Sequence, residues 1–297
     1  MMSQVNAKAT SAAEATESLN DLTVVAARAP WLVANGLDTL DRLFEPSTGE
    51  CLGKPGLNTW RERIRLTIQH DGDEQKLYLK RYRDPPAAAR RELRRTGTGT
   101  RSLAALEWTR MRQLAQDGIA CVEPVAFGEE LVGGRERRSA ILAKAVPGRS
   151  LESCAGDWTH TDRDRIRSVG RQVATIVAKL HGQGYIHRDL YLSHLFYDPS
   201  PDTADPVRLI DLQRILRNPR LIGRWVVKDL ASLNYSVPAH LYSTADRLRW
   251  LKWYLDASKL DRSMKRLIHR IVGKTRRIAR HDRRRLARFN PAGADAS

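Results

Sequence analysis

LHGQGYIHRDLYLSHLFYD, residues 180–198, decides how the rest of the chain is read. Leu180 closes a long helical pattern. Ile166, Val169, Val173, Ile176, Val177 and Leu180 share one face of a helix expected over residues 162–183. Gly182 and Gly184 stop that helix and turn the chain. The polar tripeptide His187-Arg188-Asp189 follows, and then the apolar run of a short strand. Further on, RLIDLQ sets Asp211 at the end of a second short strand. Two carboxylates thus lie at the margins of regular elements, each next to apolar residues that can hold it still.

Upstream the pattern changes from helix to strand. RIRLTI at 63–68 alternates charged and apolar residues, and so does KLYLKRY at 76–82. Leu77, Leu79 and Arg81 take one face of the second strand, and Tyr78, Lys80 and Tyr82 the other. The Asp71-Gly72 turn between the strands predicts a hairpin, ended by Pro85-Pro86. Leu103, Leu106, Met111 and Leu114 predict a helix over 100–116, stopped at Gly118. VEPVAFGEE reads as extended. After a Gly133-Gly134 turn comes a strand over 139–146, broken by Pro147-Gly148. Downstream of Asp211, helices are expected over 225–235, 244–256 and 259–286. The expected organisation is a flexible tail over 1–20, a strand-rich lobe over 21–146, a helical lobe over 147–258, and a basic amphipathic helix with a tail over 259–297.

The 297 residues are 41% hydrophobic, enough for a substantial core, which excludes disorder along the whole length. No G-X-Y period or repeat of 20–50 residues is present, so collagen and solenoids are excluded. Lys and Arg number 51 against 34 Asp and Glu, a net charge of +17, and such a chain is drawn to polyanions. Cys51, Cys121 and Cys154 lack metal or disulfide spacing and fit a reducing compartment. The most apolar early run, residues 24–33, is broken by Arg28 and Pro30. No span of the length a bilayer requires follows. A cytoplasmic protein is expected, free or lying on a membrane surface.

The H-R-D loop and the later strand-end aspartate resemble the catalytic and metal-binding loops of the protein-kinase fold. The fold class implied is α+β, protein-kinase-like and bilobal, with a β-rich N-lobe and an α-helical C-lobe. Phosphoryl transfer to an alcohol needs a carboxylate to orient the hydroxyl and accept its proton, and Asp189 is the candidate. The nucleotide arrives with Mg2+, a hard cation that requires oxygen ligands, and Asp211 is the candidate. Arg188 is expected behind Asp189, holding the loop against the strand that ends in Asp211. Lys80, in mid-strand, takes the place of the lysine that contacts the ATP phosphates. Glu107 falls on the apolar stripe of its helix, so it points inward and needs a partner, and Lys80 is the obvious one; Glu92 competes with Glu107 for that lysine. Ala143 and Ala145 lie in the expected hinge, where backbone groups meet adenine. Asp229 and His187 are expected to brace the catalytic loop.

HRDLYLSHLF, LIDLQR and KDLASLNYS narrow the resemblance to the lipopolysaccharide core kinases, which phosphorylate heptose or Kdo sugars of the glycolipid. That family implies ATP and Mg2+ as cofactors, a glycolipid acceptor, and work at the inner membrane surface. The match covers residues 53–255. His194, where protein kinases carry a metal-binding Asn, is left with three roles: metal ligand, phosphate contact, or packing. No G-x-G-x-x-G precedes Lys80; GECLGKPG at 49–56 is the nearest candidate for a phosphate-covering turn. Between Asp211 and Ala231 there is no Ser, Thr or Tyr, which excludes activation by phosphorylation of that segment. Arg214, Arg217, Arg220 and Arg224 stand there instead, as a solvated loop or as a cradle for an anionic acceptor.

Residues 259–288 hold 13 Lys/Arg and 2 Asp, a net +11 of the chain's +17. Leu260, Met264, Leu267, Ile268, Ile271, Val272 and Ile278 fall at helical spacing among them. Such a helix packs on the large lobe or lies on anionic lipid. The absence of aromatics before Phe289 argues against nucleic acid. Two other functions remain alongside the glycolipid one: a protein or small-molecule kinase of the same fold, and a non-catalytic pseudokinase scaffold.

Overall fold

A computed structural model describes residues 14–45, 47–53, 59–70, 72–96, 98–201 and 203–289. The chain divides into two units, Met1–Val146 and Pro147–Ser297.

The first unit contains β1 (Thr16–Leu19), β2 (Leu22–Val25), α1 (Ala29–Ala34), α2 (Leu40–Phe44), β3 (Glu50–Cys51), β4 (Arg61–His70), β5 (Asp73–Arg83), α3 (Ala87–Arg95), α4 (Leu103–Gln116), β6 (Pro124–Val132) and β7 (Arg135–Lys144). The strands form one sheet in the order β1-β2-β6-β7-β5-β4-β3. The expected hairpin is β4–β5, paired from Arg61↔Tyr82 to His70↔Asp73. Its alternation sorts the faces as the sequence requires. Leu77 and Leu79 are fully buried in a core with Leu32, Leu40, Leu43, Ile64 and Leu66. Arg81 lies on that same apolar face, and carbonyls at the end of α2 satisfy it: Nε donates to Leu43 at 2.5 Å and Nη2 to Glu45 at 2.8 Å.

Two elements of this unit differ from expectation. Residues 16–19, read as tail, form β1 against β2. The segment is fastened there because Arg112 donates to the Glu14 carbonyl at 2.9 Å and Ala26 N–H to the Ala15 carbonyl at 2.9 Å. Residues 1–13 lie outside the described residues. The helix α3 was not anticipated because it buries only Leu93 and so carries no apolar stripe.

The second unit contains β8 (Arg149–Ser150), α5 (Leu151–Asp157), α6 (Arg163–Gly182), β9 (Tyr185–Ile186), β10 (Leu195–Tyr197), β11 (Val207–Leu209), β12 (Leu216–Arg217), α7 (Ile222–Ser236), α8 (Thr244–Tyr254) and α9 (Arg262–Phe289). The apolar stripe of α6 is buried from Ile166 to Leu180. Two small sheets, β11-β10-β8 and β12-β9, carry the loops between them. At the start of β9, Gly184 (φ +80°) accepts from Asn218 N–H through its carbonyl, and a Cβ there would meet Asn218 Oδ1 at 1.9 Å. The basic helix α9 packs on α7: Ile271 is buried, Asn234 donates to Thr275 Oγ1 at 3.1 Å, and Tyr235 OH donates to Asp282 at 2.6 Å.

Candidate active site

In the first unit the central pair is Lys80 and Glu107. Lys80 sits mid-strand on β5, opposite Ile141 of β7. Its Nζ donates to Glu107 Oε1 at 2.5 Å, and the other carboxylate oxygen accepts from Tyr82 OH at 3.2 Å. Glu107 is 0% exposed, so the pair is what makes a charge tolerable there. Glu92, the other candidate partner, lies half-buried on α3.

The position of Glu107 depends on how α4 begins. A helix starts with unsatisfied N–H groups. Here three are met by buried side chains: Leu103 N–H donates to Glu136 at 3.1 Å, Ala104 N–H to Ser139 Oγ at 3.4 Å, and Ala105 N–H to Ser102 Oγ at 3.1 Å. Two of those acceptors stand on β7, so the sheet that carries Lys80 also fixes the helix that carries its partner. Burial pushes the Glu136 carboxyl up to about 7, against hydrogen bonds from Ser139 and Leu103 that pull it down.

Ala143 is buried in β7, paired with Tyr78. The Ala145 N–H donates to the Lys76 carbonyl at 2.8 Å, so it is committed beside the sheet. Of the turn candidate at 49–56, Glu50–Cys51 pairs with β4, and residues 54–56 lie outside the described residues.

In the second unit the loop after β9 is built around Asp229 of α7. This carboxylate is fully buried and accepts His187 N–H at 2.7 Å on one oxygen and Arg188 N–H at 2.8 Å on the other. His181 Nε2 stands 3.4 Å away, with its Nδ1 2.8 Å from Tyr254 OH. His187 ties the loop to the next strand: its Nε2 donates to the Ile210 carbonyl at 3.0 Å. Burial holds the His187 pKa below its ordinary value, so the ring is neutral. The Arg188 guanidinium lies over the Trp225 ring of α7 at 5.3 Å, and burial lowers its pKa. Arg188 and Asp211 both have left-handed backbones, φ 72° and 58°. Such strain in non-glycine residues concentrates at functional positions.

Asp189 emerges from this loop with its carboxylate about one-fifth exposed. Arg214 Nη1 donates to both oxygens, at 2.9 and 3.1 Å. Lys228 Nζ lies 3.6 Å from Oδ1. The four arginines of the proposed cradle therefore part company. Arg214 engages Asp189, Arg217 lies over the Tyr185 ring at 5.1 Å, and Arg220 and Arg224 are exposed.

His194 and Asp211 are brought together, Nε2 to Oδ2 at 3.8 Å. The His194 Nδ1 is 2.7 Å from the Asp189 carbonyl. A carbonyl only accepts, so Nδ1 carries the proton, and in the neutral ring Nε2 presents a lone pair beside the Asp211 carboxylate. A carboxylate oxygen suits a hard divalent cation, whereas an imidazole nitrogen is a poorer ligand for Mg2+ than an oxygen. Among the described residues no group of three or more such ligands exists. Of the pair, Asp211 is the hard oxygen donor that suits Mg2+, a cation that takes most of its shell from waters and nucleotide phosphates.

Two contributors were missed in the sequence. Tyr82 shares a strand face with Lys80, two residues on, and that periodicity was the signal. Lys228 precedes Asp229 within KDLASL, and only adjacency to a bracing residue hinted at it.

Known proteins share this fold and stretches of this sequence. A solved structure of WaaP in complex with acyl carrier protein superposes with a TM-score of 0.64 at 26% sequence identity, covering 88% of this chain and 98% of that one. This is the protein-kinase-like α+β fold. The lipopolysaccharide core heptose(I) kinase WaaP of Pseudomonas aeruginosa is 34% identical over 157 residues, 51% of this chain and 59% of that protein. The Escherichia coli protein of the same name is 32% identical over 161 residues, 52% of this chain and 61% of that protein. The alignments thus span about three-fifths of the length of these curated relatives. The family description itself reaches further along the chain, matching residues 57–254, from before β4 to the end of α8, and on that match the chain belongs to the lipopolysaccharide kinase (Kdo/WaaP) family.

Proposed function

We propose that this chain transfers the γ-phosphoryl group of ATP to a hydroxyl of a heptose or Kdo sugar in the lipopolysaccharide core. The observation that carries the reading is the Asp229-braced loop, which offers the Asp189 carboxylate at its surface beside the His194–Asp211 pair. Asp189 orients the acceptor hydroxyl and takes its proton. Lys80, held by Glu107, meets the nucleotide phosphates, and the segment over Ala143 and Ala145 meets the base. Asp211, with His194, would hold Mg2+, which would neutralise phosphate charge. Asp229 and His187 keep the loop in shape. Of the four arginines, Arg214 is best placed to meet an anionic acceptor, since it already binds a carboxylate and is exposed; Arg217, Arg220 and Arg224 supply further charge around it.

A glycolipid acceptor requires access to a membrane surface. No helix among the described residues is long and apolar enough to cross a membrane. We propose peripheral attachment on the cytoplasmic face of the inner membrane, through the outward side of α9. Because the related WaaP was solved with an acyl carrier protein, such a carrier is a further partner to test.

The test is transfer of label from γ-labelled Mg-ATP to an envelope extract, with Asp189→Ala alongside. Label in the glycolipid fraction, reduced at least about 100-fold in the variant, is the expected result. Label in protein or in a small sugar instead would identify a different acceptor, and no label with no nucleotide binding would favour a scaffold.

A further inference from the structure

We infer that Lys228 is a catalytic residue of this site, contacting the transferred phosphoryl group and neutralising the charge on its oxygens. The inference rests on the reading above, in which Asp189 receives the acceptor proton. In that reaction the bond from the acceptor oxygen to the γ-phosphorus forms as the bond to the bridging oxygen of ATP breaks. The proton passes to Asp189, and ADP leaves with the electron pair. Lys228 gives and takes no proton. It supplies positive charge where the three phosphoryl oxygens carry negative charge.

Several observations lead to this assignment. The loop from Asp189 to His194 reads D-L-Y-L-S-H, with no Lys or Arg, so it offers no cation of its own to the phosphoryl group. Lys228 Nζ reaches to 3.6 Å from Asp189 Oδ1. An acceptor hydroxyl must come within about 3 Å of the same carboxylate, which brings the phosphorus bound to it within reach of the ammonium. At 3.6 Å the contact is ionic and lies outside direct hydrogen-bond distance, so the three N–H donors keep capacity for other oxygens.

The cation is also fixed in place. Lys228 neighbours Asp229 on α7, and Asp229 holds the backbone of His187 and Arg188. One helix therefore positions both the loop and the ammonium. The Lys228 side chain is 25% exposed, against 44% for Arg214. A half-buried, helix-anchored cation is preorganised, whereas the more exposed Arg214 spends its Nη1 donor on both oxygens of Asp189.

The test compares Lys228→Met and Lys228→Arg with the unaltered full chain, using γ-labelled Mg-ATP and the glycolipid fraction. The expected result for Lys228→Met is a fall in kcat of roughly 100-fold with the KM for ATP changed less than about 2-fold. Lys228→Arg should recover about tenfold of the loss, because charge is restored with altered geometry. A second readout needs no turnover. ADP with aluminium fluoride, a mimic of the phosphoryl group in flight, should bind Lys228→Met more weakly than the unaltered chain, while ADP alone binds both equally. Undiminished kcat in Lys228→Met would overturn the assignment. Parallel losses of ATP affinity, ADP affinity and melting temperature would also overturn it, reducing Lys228 to a structural residue. If the unaltered chain transfers phosphate to no alcohol at all, the parent reading fails, and the assignment with it.

Discussion

Asp229 holds two backbone donors with one carboxylate, and its replacement by Asn separates geometry from charge. The amide keeps the shape but turns an N–H₂ toward His187 N–H or Arg188 N–H, leaving a buried donor unmet. We expect a loss of about 1–3 kcal/mol in unfolding free energy, read by denaturant titration, and a kcat reduced more than the KM for ATP. Lys80→Met tests the first unit's pair. It leaves Glu107 buried with only Tyr82 as partner, at a cost of roughly 3 kcal/mol, and the further change Glu107→Gln should restore most of that stability without restoring activity. At this scale much was legible in the sequence. The inward position of Glu107 follows from its stripe, and the apolar strand before Asp211 marks that carboxylate as held. What was not legible is backbone strain. Nothing in the sequence shows that Arg188 and Asp211 are left-handed, because that conformation is imposed by the groups packed around them.

The start of α4 is the element on which the first unit's chemistry depends, and it is tuned to pH. The folded-state pKa of Glu136, about 7, lies above the model-peptide value, so the folded unit binds more protons than the unfolded chain between those two values. The contribution of Glu136 to stability is therefore greatest at low pH, falls as pH rises through that window, and levels off above about 7. The shift is equivalent to roughly 3 kcal/mol. Glu136→Gln should raise the melting temperature at pH 8, and the gain should shrink toward nothing as pH falls to about 4.5. A melting series across that range checks it; a gain independent of pH would point to packing instead. The helix itself was legible, but its anchorage was not. Glu136 and Ser139 lie more than thirty residues downstream of the N–H groups they meet, on a strand whose register only the folded sheet sets. The strand β1 escaped for a related reason, since it is an edge strand held by β2 and by a distant arginine.

Across the whole molecule the dominant quantity is charge. The apolar side of α9 is used against α7, which leaves Arg276, Arg277, Arg280, Arg283 and Arg284 exposed. Replacing these five with Gln should leave the melting temperature nearly unchanged and remove most binding to anionic vesicles, at about 1 kcal/mol per residue. Co-sedimentation at low and high salt reads both effects. Binding that survives the replacements would exclude α9 as the attachment surface. The sequence disclosed this helix and its charge; only the fold shows which side is left for a partner.

The contact of Arg188 with Trp225 bears on how such a molecule is governed. In many protein kinases the corresponding segment is ordered when a phosphate pairs with arginine. Here the guanidinium already rests on an aromatic ring, and the segment from Asp211 to Ala231 holds no hydroxyl to modify. An indole is put in place once, at translation, and no phosphatase can erase it.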